Sequence, residues 1–129
     1  MKRLITIGLI VAAVQAAGTT EAASMKDKYV ANCVKFSKRV NRQMRADDKR
    51  QKQACDCICE KVQSLGADDQ ALKTIMEYTR EYDFTVIPKQ PTFQQILQAH
   101  VDVHRDIIKT QADLEEFVKG MMSCSFEAD

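Results

Sequence analysis

Cys55, Cys57 and Cys59 alternate along Ala54-Cys55-Asp56-Cys57-Ile58-Cys59-Glu60, and Cys33 and Cys124 complete a set of five cysteines. Thiols so placed can do three kinds of chemistry. Oxidised in pairs they staple a small fold, as thiolates they hold zinc or copper, and an activated thiolate exchanges electrons with a disulfide. The count is odd, so at least one of the five cannot be paired within one chain. A catalytic thiol needs a lowered pKa, supplied by cations or a helix start. Asp56 and Glu60 act the other way, raising the thiols beside them.

The compartment decides between staples and metal. Lys2 and Arg3 precede an almost unbroken apolar run from Leu4 to Val14, and Gln15 to Ser24 is small and polar. This is the order of an export signal. The run is too short for a permanent membrane span, and no cysteine at its end suggests a lipid anchor. Residues 1–23 are therefore read as a signal peptide, and 24–129 as a single helical domain with no transmembrane anchor after cleavage. A periplasmic or secreted location follows. There thiolate ligation of a metal competes with oxidation, and the disulfide framework is the expected use of Cys33, Cys55, Cys57 and Cys124. The spare cysteine could join two subunits as a disulfide-linked dimer.

A second pair able to do chemistry is His100 and His104, four residues apart on one helix face, where two imidazoles can share an ion. Val101 follows His100, so the His-Glu-x-x-His arrangement of zinc proteases is absent. Asp106, Asp113 or a free cysteine would have to complete such a site, and both histidines also lie near the apolar stripe, where they would simply edge the core. A periplasmic metal-binding protein is thus the alternative reading. Otherwise no cofactor is expected, the methionines being scattered core filler. Catalysis is not expected either: the chain holds no Ser, His, Asp order and no phosphate-cradling loop, with only four glycines in 129 residues.

Charge is divided along the chain. Residues 26–52 carry ten Lys or Arg against three Asp, a net of +7, while residues 53–129 carry seven against fourteen acids, a net of −7. Without the signal the two halves cancel, unlike the basic balance of a nucleic-acid binder. Lys35, Lys38, Arg39, Arg42 and Arg45 gather on the outside of the first helix. Such a run is most simply a solvated face, and it is also the first surface to expect against an acidic protein partner or anionic envelope surface.

Helices must position all of these groups. Val30, Cys33, Val34, Ser37, Val40 and Met44 recur at helical spacing from Tyr29 to Met44. A second helix, capped by Asp47 or Asp48, carries Ala54, Ile58, Val62 and Leu65 and stops at Gly66. Asp68 can cap a third with Leu72, Ile75 and Met76, reaching about Tyr82. Asp83 to Pro91 breaks the pattern; Phe84, Val86 and Ile87, following Tyr78 and Tyr82, are expected to close over the core, with a groove for a partner as the other use of such an aromatic stretch. Thr92 with Gln95 forms a capping box for a fourth helix. Thr110 with Asp113 either restarts a last helix or is passed through by a longer one, whose end Gly120 weakens. The fold class is all-α, a small bundle of four to five helices stapled by two disulfides.

On the second helix, at about 100° per residue with Ile58 at zero, Cys55 lies near +60°, Cys59 near +100° and Cys57 near −100°. Two staples leaving opposite flanks follow. With the first turn centred near residues 45 to 47, Cys33 pairs with Cys57 and Cys55 with Cys124, leaving Cys59 as the free thiol. The rival has Cys33 with Cys59, and Cys124 with Cys55 or Cys57.

Cys33, then Cys55-x-Cys57 followed by Lys61 and Val62, with Cys124 late in the chain, resembles a loose group of small exported bacterial proteins. The resemblance covers mainly residues 30–65, and Cys59 departs from its pattern. It implies a helical exported domain and no particular activity. The expectation is an exported, non-catalytic interaction protein of the bacterial envelope, such as a periplasmic inhibitor or immunity-type or accessory protein, binding a protein partner.

Overall fold

The computed structural model describes residues 24–43 and 47–128. Their helices are α1 (Met25–Val40), α2 (Asp48–Ser64), α3 (Asp69–Glu81), α4 (Phe93–Val103) and α5 (Gln111–Ala128), with one 3-10 turn at Phe84–Val86 between α3 and α4. No strand occurs among the described residues. Residues 1–23, for which a signal peptide is the expectation, lie outside them, as do Met44 and Arg45.

Each helix starts where a short polar side chain can satisfy an unpaired backbone N–H. The Ser24 hydroxyl accepts from the Asp27 amide at 3.1 Å, the Asp47 carboxylate from Arg50 at 2.8 Å, and the Asp68 carboxylate from Ala71 at 2.9 Å. Thr92 and Gln95 cap reciprocally, each side chain accepting from the other's amide. Thr110 and Asp113 do the same, so a new helix begins there rather than α4 running on. Each such cap is worth about 1 kcal/mol. Gly66 closes α2 at φ +101°, a left-handed conformation in which a side chain would be strained. The Ser24 cap also starts α1 four residues before Tyr29.

The helices close into a ring. Neighbouring contacts run from α5 to α2, α1, α3, α4 and back to α5, so every helix turns one face to a shared interior. Leu72, Ile75, Val62, Val103 and Phe117 are wholly enclosed there, each such side chain contributing about 1.5–3 kcal/mol. Because α1 has neighbours on both sides, its buried face is broad, with Tyr29, Val30, Cys33, Phe36 and Val40 inside. Phe36, like Tyr29, is a buried residue of α1 outside the expected stripe. It meets Tyr82, Phe84 and His100 at centroid distances of 5.5, 5.6 and 5.1 Å and ties α1 to α3, the 3-10 turn and α4. Tyr82 and Phe84 thus close over the core as expected, whereas Val86 remains exposed.

Two disulfides bind α2 to both its neighbours, with partners exchanged relative to the expected pairing. Cys33 joins Cys55, and Cys57 joins Cys124. The expected bonds, Cys33 to Cys57 and Cys55 to Cys124, are corrected by the register. α1 ends at Val40 and α2 starts at Asp48, which centres the connection on residue 44 and sets residue 33 opposite 55. That shift turns the Cys55 flank toward α1 and the Cys57 flank toward α5. Cys59 is the free cysteine.

Gly120 does not end the last helix; α5 continues through it to Ala128. A side-chain carbon at Gly120 would stand 3.0 and 3.1 Å from Cγ and Cβ of Lys61. The missing side chain therefore lets α5 approach α2 closely, one turn before the Cys57–Cys124 bridge.

Candidate functional site

The basic residues of α1 divide by where the ring places them. Lys38 reaches across the first turn to Asp48 at 2.6 Å. Arg42 lies past the end of α1 and is exposed, and Arg45 lies outside the described residues. Lys35 and Arg39 face the other neighbour, α3. There they line a cleft of about 160 Å³ with Asn32 and Phe36 of α1, Thr79 and Arg80 of α3, and Phe84 of the 3-10 turn. Three cations from two helices therefore surround one depression with an aromatic wall.

The cleft is built on ordered contacts. Asn32 Nδ2 donates to Thr79 Oγ1 at 2.9 Å, and the Thr79 hydroxyl gives its proton to the Met76 carbonyl at 2.6 Å, which fixes α1 against α3 at the floor. The Arg39 guanidinium lies 3.8 Å above the centre of the Phe84 ring. Such stacking orients a planar cation and leaves its in-plane N–H donors free to fork onto a carboxylate. Among the described residues no carboxylate stands within ion-pairing distance of Lys35, Arg39 or Arg80. Of the five residues expected to meet a partner, the structure brings Lys35 and Arg39 together and separates Lys38 and Arg42 from them. Arg80 and Thr79 were not expected at such a site, whereas Phe84 belongs to the aromatic stretch for which a partner groove was the second reading. Tyr29 and Phe36, four residues before and three after Cys33, are the signal that α1 has a second buried face.

His100 and His104 point inward. Both are buried, and the His104 ring spans from α4 to α1: Nδ1 lies 2.6 Å from the His100 carbonyl and Nε2 lies 2.6 Å from the Tyr29 hydroxyl. A carbonyl only accepts, so Nδ1 carries the proton and Nε2 receives the Tyr29 O–H. An ion would need the lone pair that Tyr29 already occupies, and among the described residues no three His, Cys, Asp or Glu side chains are grouped to hold one. Burial holds His104 neutral, bringing its pKa down to about 4 against the raising effect of its bond to the His100 carbonyl. Burial, aided by His104, brings His100 to about 3. Burial, with the Cys59 thiol acting in the same direction, pushes the Tyr29 hydroxyl well above the usual phenol range.

Cys59 is 0 % exposed. Burial raises its thiol to about 11, with Lys26 opposing and Asp56 and Glu60 adding to the rise. A protonated, enclosed thiol is a weak nucleophile, and it is not presented to a second chain. A subunit link through this odd cysteine would first require α2 to leave its packing. Among the described residues no helix is long and apolar enough to cross a membrane. Comparison of the chain with protein-family models, with curated proteins and with solved structures finds no match in any of the three.

Proposed function

We propose that the chain is an exported, non-catalytic interaction protein of the bacterial envelope that binds an acidic protein partner through the cleft between α1 and α3. The observation that carries this reading is the convergence of Lys35, Arg39 and Arg80 on an open depression with no neutralising carboxylate among the described residues. Like charges brought together without counter-charge cost stability, and a partner that supplies carboxylates relieves that cost while gaining attraction at a distance. Two disulfides suit an oxidising compartment, in keeping with the signal-like order of residues 1–23. An accessory subunit and an inhibitor or immunity-type protein both belong to this class.

Site-specific photo-cross-linking in the native envelope tests the reading. A cross-linker replacing Lys35 is expected to trap one dominant protein, whereas the same group replacing Lys73, exposed on α3 away from the cleft lining, is not. Equal trapping from both positions, or none from Lys35, would refute the proposal.

A further inference from the structure

Resting on that reading of the α1–α3 face, we infer that the cleft recognises an acidic peptide segment, seating one carboxylate among Lys35, Arg39 and Arg80 with a neighbouring apolar side chain against Phe84. Size is the first reason. At about 160 Å³ the cleft falls below the ~300–1,000 Å³ of pockets that enclose a drug-sized ligand, so it takes one side chain of a larger partner rather than a whole small molecule.

Chemistry is the second reason. Arg39, stacked on Phe84 at 3.8 Å, offers a fork of N–H donors at a fixed tilt, which matches the two oxygens of a carboxylate. Lys35 on the same helix and Arg80 across the cleft add charge on either side. Phe84 is only half-buried, and Val86, two residues on in the same 3-10 turn, is 65 % exposed, so the element that closes the cleft also offers apolar surface to solvent. A segment that alternates acidic and apolar side chains complements both the cations and this surface, whereas a purely ionic ligand leaves the apolar surface in water.

The arrangement also sets a division of labour. Asn32 and Thr79 are joined to each other and to the Met76 carbonyl at the floor, so they fix the spacing of the two helices. Specificity lies with the cations and Phe84, and affinity is salt-dependent because the cleft is open to solvent.

The test is a backbone-amide NMR titration of the oxidised protein purified after export. The probe is a peptide of alternating Glu and Phe with acetylated and amidated ends. Saturable shifts confined to the neighbourhood of Asn32, Lys35, Arg39, Thr79, Arg80 and Phe84 are expected, with affinity falling at least fivefold in Arg80→Ala and in Arg39→Lys, which keeps the charge and loses the fork. The same peptide with Gln for Glu is expected to produce no such shifts. Hexanoate reproducing them at equal affinity would overturn the peptide assignment in favour of a free carboxylate. Shifts spread over every lysine and arginine, or an unchanged affinity in Arg80→Ala, would overturn the site itself. If peptide binding fails while Lys35 still traps one dominant partner, the carboxylate cleft is refuted and the interaction reading stands. If the peptide binds the cleft while trapping is indiscriminate, the interaction reading alone is refuted.

Discussion

Acid should destabilise this protein well before its carboxylates are protonated, because two imidazoles are enclosed in their neutral form. In the unfolded chain each has a pKa near 6.5, and in the fold they stand near 3 for His100 and near 4 for His104. Depressed values mean that stability is complete above 6.5 and is lost as pH falls toward the folded values, since the unfolded state takes up protons that the native state refuses. Each histidine contributes a slope of about 1.4 kcal/mol per pH unit in that interval, so the two together cost roughly 4 kcal/mol between pH 8 and pH 5. That is a large part of the 5–15 kcal/mol typical of a domain. Urea denaturation followed by circular dichroism reads this as a fall in midpoint of about 2–4 M for a slope of about 1–2 kcal/mol/M. The Asp83 carboxyl, held below its usual range by bonds from Thr85, lies outside this window. Native-state NMR gives the direct check: neither imidazole should titrate above pH 5. An imidazole in the folded protein with a midpoint near 6.5, or a urea midpoint constant from pH 8 to pH 5, would refute the reasoning.

Removing the Tyr29 hydroxyl in Tyr29→Phe strands the buried His104 Nε2 and should cost about 1–3 kcal/mol at pH 8; a loss below 0.5 kcal/mol, on the order of error in such measurements, would show that the bond adds little. The two bridges should differ in worth. Cys57–Cys124 closes a span of 67 residues and Cys33–Cys55 one of 22, so the Cys57→Ser, Cys124→Ser variant should be less stable than Cys33→Ser, Cys55→Ser by about 1 kcal/mol, a ranking that equilibrium denaturation checks. Gly120→Ala should destabilise despite the better helix propensity of alanine. The new carbon meets the stem of Lys61 at 3.0–3.1 Å, overpacking costs about 1–3 kcal/mol, and adding Lys61→Ala to the variant should recover part of the loss.

Much of the fold was legible because it is written locally. Asp68, Thr92 with Gln95, and Thr110 with Asp113 announce their helices through caps that need only three or four neighbouring residues. The disulfide partners were not legible, because they depend on the register of α1 against α2, which moves by two residues when the centre of one turn moves by one. The same helical angles that put two staples on opposite flanks of α2 could not say which flank met which neighbour. Half of the cleft was visible in Lys35 and Arg39. Arg80, Thr79 and Phe84 join them only because α3 packs beside α1 on the side away from α2, a long-range choice that no window of the chain contains. The histidine spacing allows either a place at the edge of the core or metal ligation, and it is the distant Tyr29 that gives His104 its structural use.

The placement of both bridges on α2 divides the ring into two kinds of material. α1, α2 and α5 are covalently joined into one frame, whereas α3, the 3-10 turn and α4 are held against it by packing and hydrogen bonds alone. Sub-global openings that leave the disulfides intact must therefore peel away the second group, and its amides set the lower tier of hydrogen-exchange protection. The cleft lies across that seam, with Lys35 and Arg39 on the frame and Arg80 and Phe84 on the releasable part. A carboxylate seated there would act as a latch, suppressing the opening of α3 and α4 and adding the same increment to frame amides that exchange only through global unfolding.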